Sequence, residues 1–175
     1  MLPTRRQFLT VSTLSAAGRV HLPQQDPRPP SARTQSQSNT PPPRKSDPLP
    51  DALVHEWVWR GHFDLDGVKR MLAEQPTLIN ATYDWGNGDY EMAIGGAGHL
   101  GRRDIAEYLL SQGSRMDTFV AAMLGQLDIV RATLKAYPTL ITSRGPHGLT
   151  LLHHAQKGGD QARAVLEYLQ SAGAR

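Results

Sequence analysis

The sequence predicts an all-α solenoid of about four helix pairs, carried behind an irregular N-terminal leader and linker. Three observations predict it. A glycine followed by a short amphipathic segment recurs at Gly61, Gly101, Gly125 and Gly159, at spacings of 40, 24 and 34 residues. Ten of the thirteen prolines fall within residues 1–50, so linker chemistry is concentrated at one end of the chain. Cysteine is absent, so the remaining stretch of roughly 125 residues must be held by packing rather than by disulfides or thiolate-bound zinc.

The formal net charge of +3 is unevenly placed. Residues 1–50 hold seven arginines and lysines against two aspartates, which leaves twelve basic residues against fourteen acidic ones in the remainder. A slightly acidic folded part has no basic stripe to gather phosphates, so no nucleic-acid partner is expected.

Residues 1–20 open with Thr4-Arg5-Arg6-Gln7-Phe8-Leu9 and continue as a mildly apolar run to Ala17. This resembles a twin-arginine export signal, a receptor-read address for moving folded proteins across the bacterial inner membrane. The resemblance implies that Arg5, Arg6, Phe8 and Leu9 form the address, and that the protein is periplasmic or exported. The alternative is a basic extension on a cytoplasmic protein. Residues 21–50 are mostly Pro, Gln, Ser, Thr, Asn and Arg, with almost nothing to bury, and read as a disordered linker. No later run approaches the roughly 20 apolar residues of a membrane span, so no transmembrane segment is expected.

Residues 51–175 form the repeat domain, with repeats over about 52–90, 91–115, 116–148 and 149–175. After the four marker glycines come Val68–Leu72, Ile105–Leu110, Ile129–Leu134 and Val165–Leu169, each with apolar side chains three and four apart, the pattern of a helix with one buried stripe. A shorter, alanine-rich helix precedes each glycine. The clearest is Thr150-Leu151-Leu152-His153-His154-Ala155, and equal counting places Met92–Ala97, Met116–Ala121 and the pair Val54-His55 in the same register. Spacings of 40 and 34 leave room for hairpin loops at Asn80–Tyr90 and Thr142–Thr150, whereas 24 leaves only a tight turn through Gly113–Asp117.

The segment Thr150–Ala155 resembles the ankyrin phrase T-P-L-H-x-A, with Leu151 in place of the proline. Together with Asp84-Trp85-Gly86, Gly101–Leu110 and Gly145-Pro146-His147-Gly148, it makes residues 52–175 similar to a group of bacterial ankyrin-repeat proteins of unassigned function. The resemblance implies an ankyrin-repeat solenoid that binds another protein through its hairpin tips and concave inner-helix face. It also implies that His153 bonds backbone between neighbouring loops.

Candidate contact residues follow from the loops. Tyr83, Asp84, Trp85, Asn87, Asp89 and Tyr90 place aromatic rings beside acids and an amide, the mix found at interface hot spots. Trp85 is either an exposed anchor or folded back as core. Arg144 and His147 lie in the second loop, and His154 beside the register histidine. Adjacent histidines on a helix point about 100° apart, so His153 and His154 do not ligate one ion together. Neither a nucleophile elbow, a phosphate loop nor a His-Glu-x-x-His pair occurs, and Gly95-Gly96-Ala97-Gly98 falls in an inner helix. The expected function is therefore a monomeric protein-binding module without cofactor, metal ligands or enzymatic activity. The alternative is a small metal-binding or hydrolytic protein that uses His147, His154 and acids such as Asp160.

The leader makes its own prediction. Replacing Arg5 and Arg6 by lysine keeps the charge but removes the guanidinium forks, and should hold a leader–reporter fusion in the cytoplasm. Periplasmic reporter at the native level would contradict the export reading.

Overall fold

A computed structural model describes residues 47–175. The export residues Arg5, Arg6, Phe8 and Leu9 lie outside the described residues, as does nearly all of the linker. The described residues are mostly helical. Its elements are α1 (Asp51–Gly61), α2 (Leu65–Glu74), β1 (Thr82–Asp84), β2 (Tyr90–Met92), α3 (Ala93–Leu100), α4 (Arg103–Ser111), α5 (Thr118–Met123), α6 (Leu127–Ala136), α7 (Leu151–Lys157) and α8 (Arg163–Ser171). Four 3-10 turns, Pro76–Asn80, Pro138–Thr142, Pro146–Gly148 and Gly159–Ala162, complete the order. No helix among the described residues is long and apolar enough to cross a membrane.

Local chemistry sets where the helices begin. The carboxylate of Asp64 accepts from Gly67 N at 2.9 Å at the head of α2, and that of Asp117 from Val120 N at 2.8 Å at the head of α5. Thr150 Oγ1 accepts from His153 N at 3.1 Å at the head of α7. Each side chain satisfies a backbone N–H that has no partner inside its helix.

The helices pair as the spacing predicts, α1 with α2, α3 with α4, α5 with α6 and α7 with α8. The first helices of the pairs form the inner layer, with α3 packed between α1 and α5, and α5 packed on α7. The buried stripes include Val68 and Leu72, Ile105 and Leu109, Val130 and Leu134, and Val165 and Leu169. Two positions differ from the sequence expectation by one residue: Leu110 is half-buried beside a fully buried Leu109, and Ile129 is 41% exposed beside a fully buried Val130.

One departure from a straight stack matters most. Helix α5 has only six residues, and α7 reaches past it to contact α3 directly. His153 Nε2 accordingly lies 2.9 Å from the His99 carbonyl, two repeats back, rather than bonding an adjacent loop. At Gly101, where φ is +76°, an added Cβ would stand 2.5 Å from the Lys157 carbonyl. Glycine is needed there both for the left-handed turn and for this close approach. The short third repeat thus brings the loop before α7 back over the second repeat.

The first long connection is a true hairpin. β1 and β2 pair antiparallel with Tyr83 opposite Glu91. Its tip is Gly86-Asn87-Gly88, and all three residues have positive φ. The second, from Thr142 to Thr150, forms no strands; it folds through the turn at Pro146–Gly148, with Gly145 N donating to the Leu149 carbonyl at 2.9 Å.

Packing and exposure separate the expected mutational effects. Leu109→Ala removes a fully buried side chain and should cost about 2–5 kcal/mol, whereas Glu74→Ala on the exposed end of α2 should change stability by no more than about 0.5 kcal/mol. Chemical denaturation of the two variants checks this.

Candidate metal centre

The centre is built around Glu91. Alternation along β2 turns this residue inward, opposite to its exposed neighbour Tyr90, and its side chain has no exposed surface. A buried carboxylate needs compensation, and three imidazoles face it. His62, at the C-terminal cap of α1, places Nε2 3.3 Å from Glu91 Oε2. His99, near the end of α3, places Nδ1 3.1 Å from Oε1. His147, in the turn before α7, places Nε2 3.3 Å from Oε2. One ligand atom from each of the four residues lies within 4.8 Å of every other.

Outer contacts aim these groups. His62 Nδ1 sits 2.9 Å from the Val58 carbonyl, which requires an N–H at Nδ1 and turns Nε2 towards Glu91. The indole Nε1 of Trp85 donates to Glu91 Oε2 at 2.8 Å. Asp89 takes His147 in both hands: one carboxylate oxygen accepts from the backbone N and the other pairs with Nδ1, each at 2.8 Å. A carboxylate on the far nitrogen of an imidazole is the arrangement that orients metal-binding histidines and raises their basicity. It also holds His147 at φ +56°, a conformation that few residues other than glycine adopt.

Glycines make the room. An added Cβ at Gly96 would stand 2.7 Å from His62 Nδ1, and one at Gly95 would stand 3.3 Å from Glu91 Cγ. The glycine run that would otherwise weaken α3 therefore lets the imidazole and the carboxylate lie against the helix.

The electrostatics point the same way. Burial by itself would raise the Glu91 carboxyl, but the facing His62 and His99 outweigh it and hold the group down to about 2. Burial would lower His62, and Glu91 outweighs this to raise it above the ordinary value. The balance is incomplete at one place. Glu91 Oε1 and His99 Nδ1, although 3.1 Å apart, are not aligned as acceptor and donor, and both remain without a hydrogen-bond partner.

The spacing of these groups is compatible with a divalent ion. Ligand atoms about 2.0–2.1 Å from a tetrahedral ion stand about 3.3–3.4 Å from one another, close to the three separations at Glu91.

The expected contact residues divide. Asp89 and His147 belong to the centre, and Trp85 supports it, half-buried and bonded to Glu91. Tyr83 packs edge-on against Trp85 and His55, with ring centroids 4.9 Å apart in both pairs. Asp84 accepts from Gly86 N at 2.8 Å and shapes the hairpin, while Asn87 and Tyr90 are exposed. Arg144 is exposed at the rim of a neighbouring cleft. His154 does not join them. It is buried against Phe119, with Nδ1 2.8 Å from the Thr150 carbonyl, and burial lowers its pKa. Packing therefore removes it from any contact surface. The sequence reading missed His62, Glu91 and His99.

Among known proteins, no family model matches the chain, and no curated protein matches it.

The ionisation pattern gives a test on metal-free protein. Glu91 is depressed from 4.5 to about 2, so its contribution is present above the unfolded value and is lost as pH falls from about 4.5 towards 2. His62 is raised from 6.5, so its contribution is present below that value and is lost as pH rises through the folded pKa. Glu91→Gln should therefore be most destabilising between about pH 4.5 and 6.5, by roughly 1–3 kcal/mol, and the difference from wild type should vanish near pH 2. Melts across that range measure it.

Proposed function

We propose that this chain is a metal-ion-binding protein, with His62, Glu91, His99 and His147 as ligands, carried on a helical-repeat frame of ankyrin type. The observation that supports it above the others is the orphaned pair of Glu91 Oε1 and His99 Nδ1 inside a set of four ligand atoms that lie within 4.8 Å of one another. The donors favour a class of ion. Three imidazoles and one carboxylate suit zinc, copper, nickel or ferrous iron, whereas calcium and magnesium ask for all-oxygen shells. The ion would supply Lewis acidity and a fixed positive charge at the mouth of the two loops. The residues of this chain position it: Asp89 orients His147, the Val58 carbonyl sets the His62 tautomer, and Trp85 steers Glu91.

The ankyrin reading of the frame rests on the helix-pair order, the recurring glycines and the capped Thr150–Ala155 phrase. The paired arginines at positions 5 and 6 support an exported or periplasmic location. Partner binding stands as a second reading, favoured by a specific observation: Tyr90, on the first hairpin, is 63% exposed although aromatic. An ion tying His147 to the first hairpin would fix the loop surface that a partner meets.

Calorimetric titration tests the metal reading. Zinc should bind the chelator-treated protein at one ion per chain, and magnesium should not compete. Affinity should fall as pH drops below about 6, because protons compete for the imidazoles. Asp89→Asn, which spares the four ligands, should weaken binding by roughly 10- to 100-fold. Zinc uptake that persists unchanged in a His62→Ala, His147→Ala double variant would contradict the assignment.

A further inference from the structure

Beside the metal centre lies a second feature that the ligand set does not use. A cleft of about 440 Å³ opens between the two long loops, over the tight turn that joins α4 to α5. The size suits a small molecule. Its position follows from the repeat spacing: the middle connection is too short for a hairpin, so the walls are the β-hairpin on one side and the Arg144–Pro146 segment on the other.

Four charged side chains line it, and their engagements differ by sign. Asp89 spends both oxygens on His147, and Asp117 caps α5 through Val120 N. Among the described residues the Arg115 guanidinium makes no hydrogen bond or ion pair; only its backbone is used, the N donating to Asn80 Oδ1 and the carbonyl accepting from Ser114 Oγ. Arg144 makes a single long contact, Nη1 to the Gly148 carbonyl at 3.4 Å. Asp89 is thus fully engaged and Asp117 is engaged through one oxygen, whereas the two guanidinium forks are available. Phe119 and Pro146 add apolar wall, and Gly95 leaves the floor open.

We infer that this cleft binds a small oxyanion-bearing molecule, with its carboxylate or phosphate group held by Arg115 and Arg144 and its body against Phe119 and Pro146. Planar guanidinium forks match such oxygens in bidentate fashion, and charge-assisted bonds of this kind are stronger than neutral ones. The inference does not depend on the metal reading, because neither arginine touches the four ligand residues.

The test uses the full chain after chelator treatment, since phosphate would also coordinate a bound ion. Inorganic phosphate and succinate are titrated separately and followed by NMR at the arginine Nε–H groups and the Gly95 and Gly145 amides. One or both should give saturable shifts at these positions; the stronger of the two identifies the ligand as phosphate-bearing or carboxylate-bearing. Arg115→Ala and Arg144→Ala should each weaken that binding roughly tenfold or more, whereas Arg163→Ala on α8 should leave it unchanged. Both arginines are exposed, so unchanged melting temperatures in these variants will show that lost binding is not lost folding. Absence of saturable shifts with either anion, or equal binding by the Arg115→Ala, Arg144→Ala double variant, would overturn the proposal.

Discussion

A carboxylate with no exposed surface has to be neutralised where it lies, and the arrangement around Glu91 follows from that requirement. Three imidazoles from three separate elements and one indole surround it. His62 is held from outside by a backbone carbonyl and admitted by Gly96, and His147 is held by Asp89. Imidazoles alone leave the account unbalanced, with one carboxylate oxygen and one ring nitrogen facing each other unpaired. On the proposed metal reading, a shared cation balances it. The cost of leaving those groups unsatisfied then becomes part of the affinity for the ion.

The frame delivers these groups through its irregularity. In a regular solenoid each repeat touches its neighbours, and a loop before the fourth repeat would not reach the second. Here the six-residue α5 lets α7 pack on α3, and His153 bonds the carbonyl of His99, itself a member of the centre. The same shortening leaves the middle connection without a hairpin. The first and second long loops therefore meet across the gap, joined by the pairing of Asp89 with His147. The cluster around Glu91 and the cleft are two consequences of one missing hairpin.

Much of the frame was legible in the sequence because it is written in local periodicity. The marker glycines, the amphipathic stripes and the unequal spacings predict the helix pairs and the two long loops. The centre was less legible because its ligands are 29, 8 and 48 residues apart along the chain and belong to no short motif. His147 and Asp89 drew notice as loop residues, but His62 and His99 sit at helix ends where the pattern assigns no role. Glu91 directly follows the expected loop, where the pattern assigns no role either. A signal was present in Gly95 and Gly96, since glycines in a helix interior ask for something bulky alongside. What they accommodate became visible only when β2 and the end of α1 were folded against α3.

X-ray absorption at the zinc edge tests the central claim most directly, because it reports what touches the ion rather than whether one binds. Zinc-loaded protein should show a shell of about four nitrogen and oxygen atoms near 2.0–2.1 Å, with the outer scattering of three imidazole rings. A shell of oxygen atoms without imidazole scattering would mean that His62, His99 and His147 do not converge on a metal, and the centre as described would be wrong.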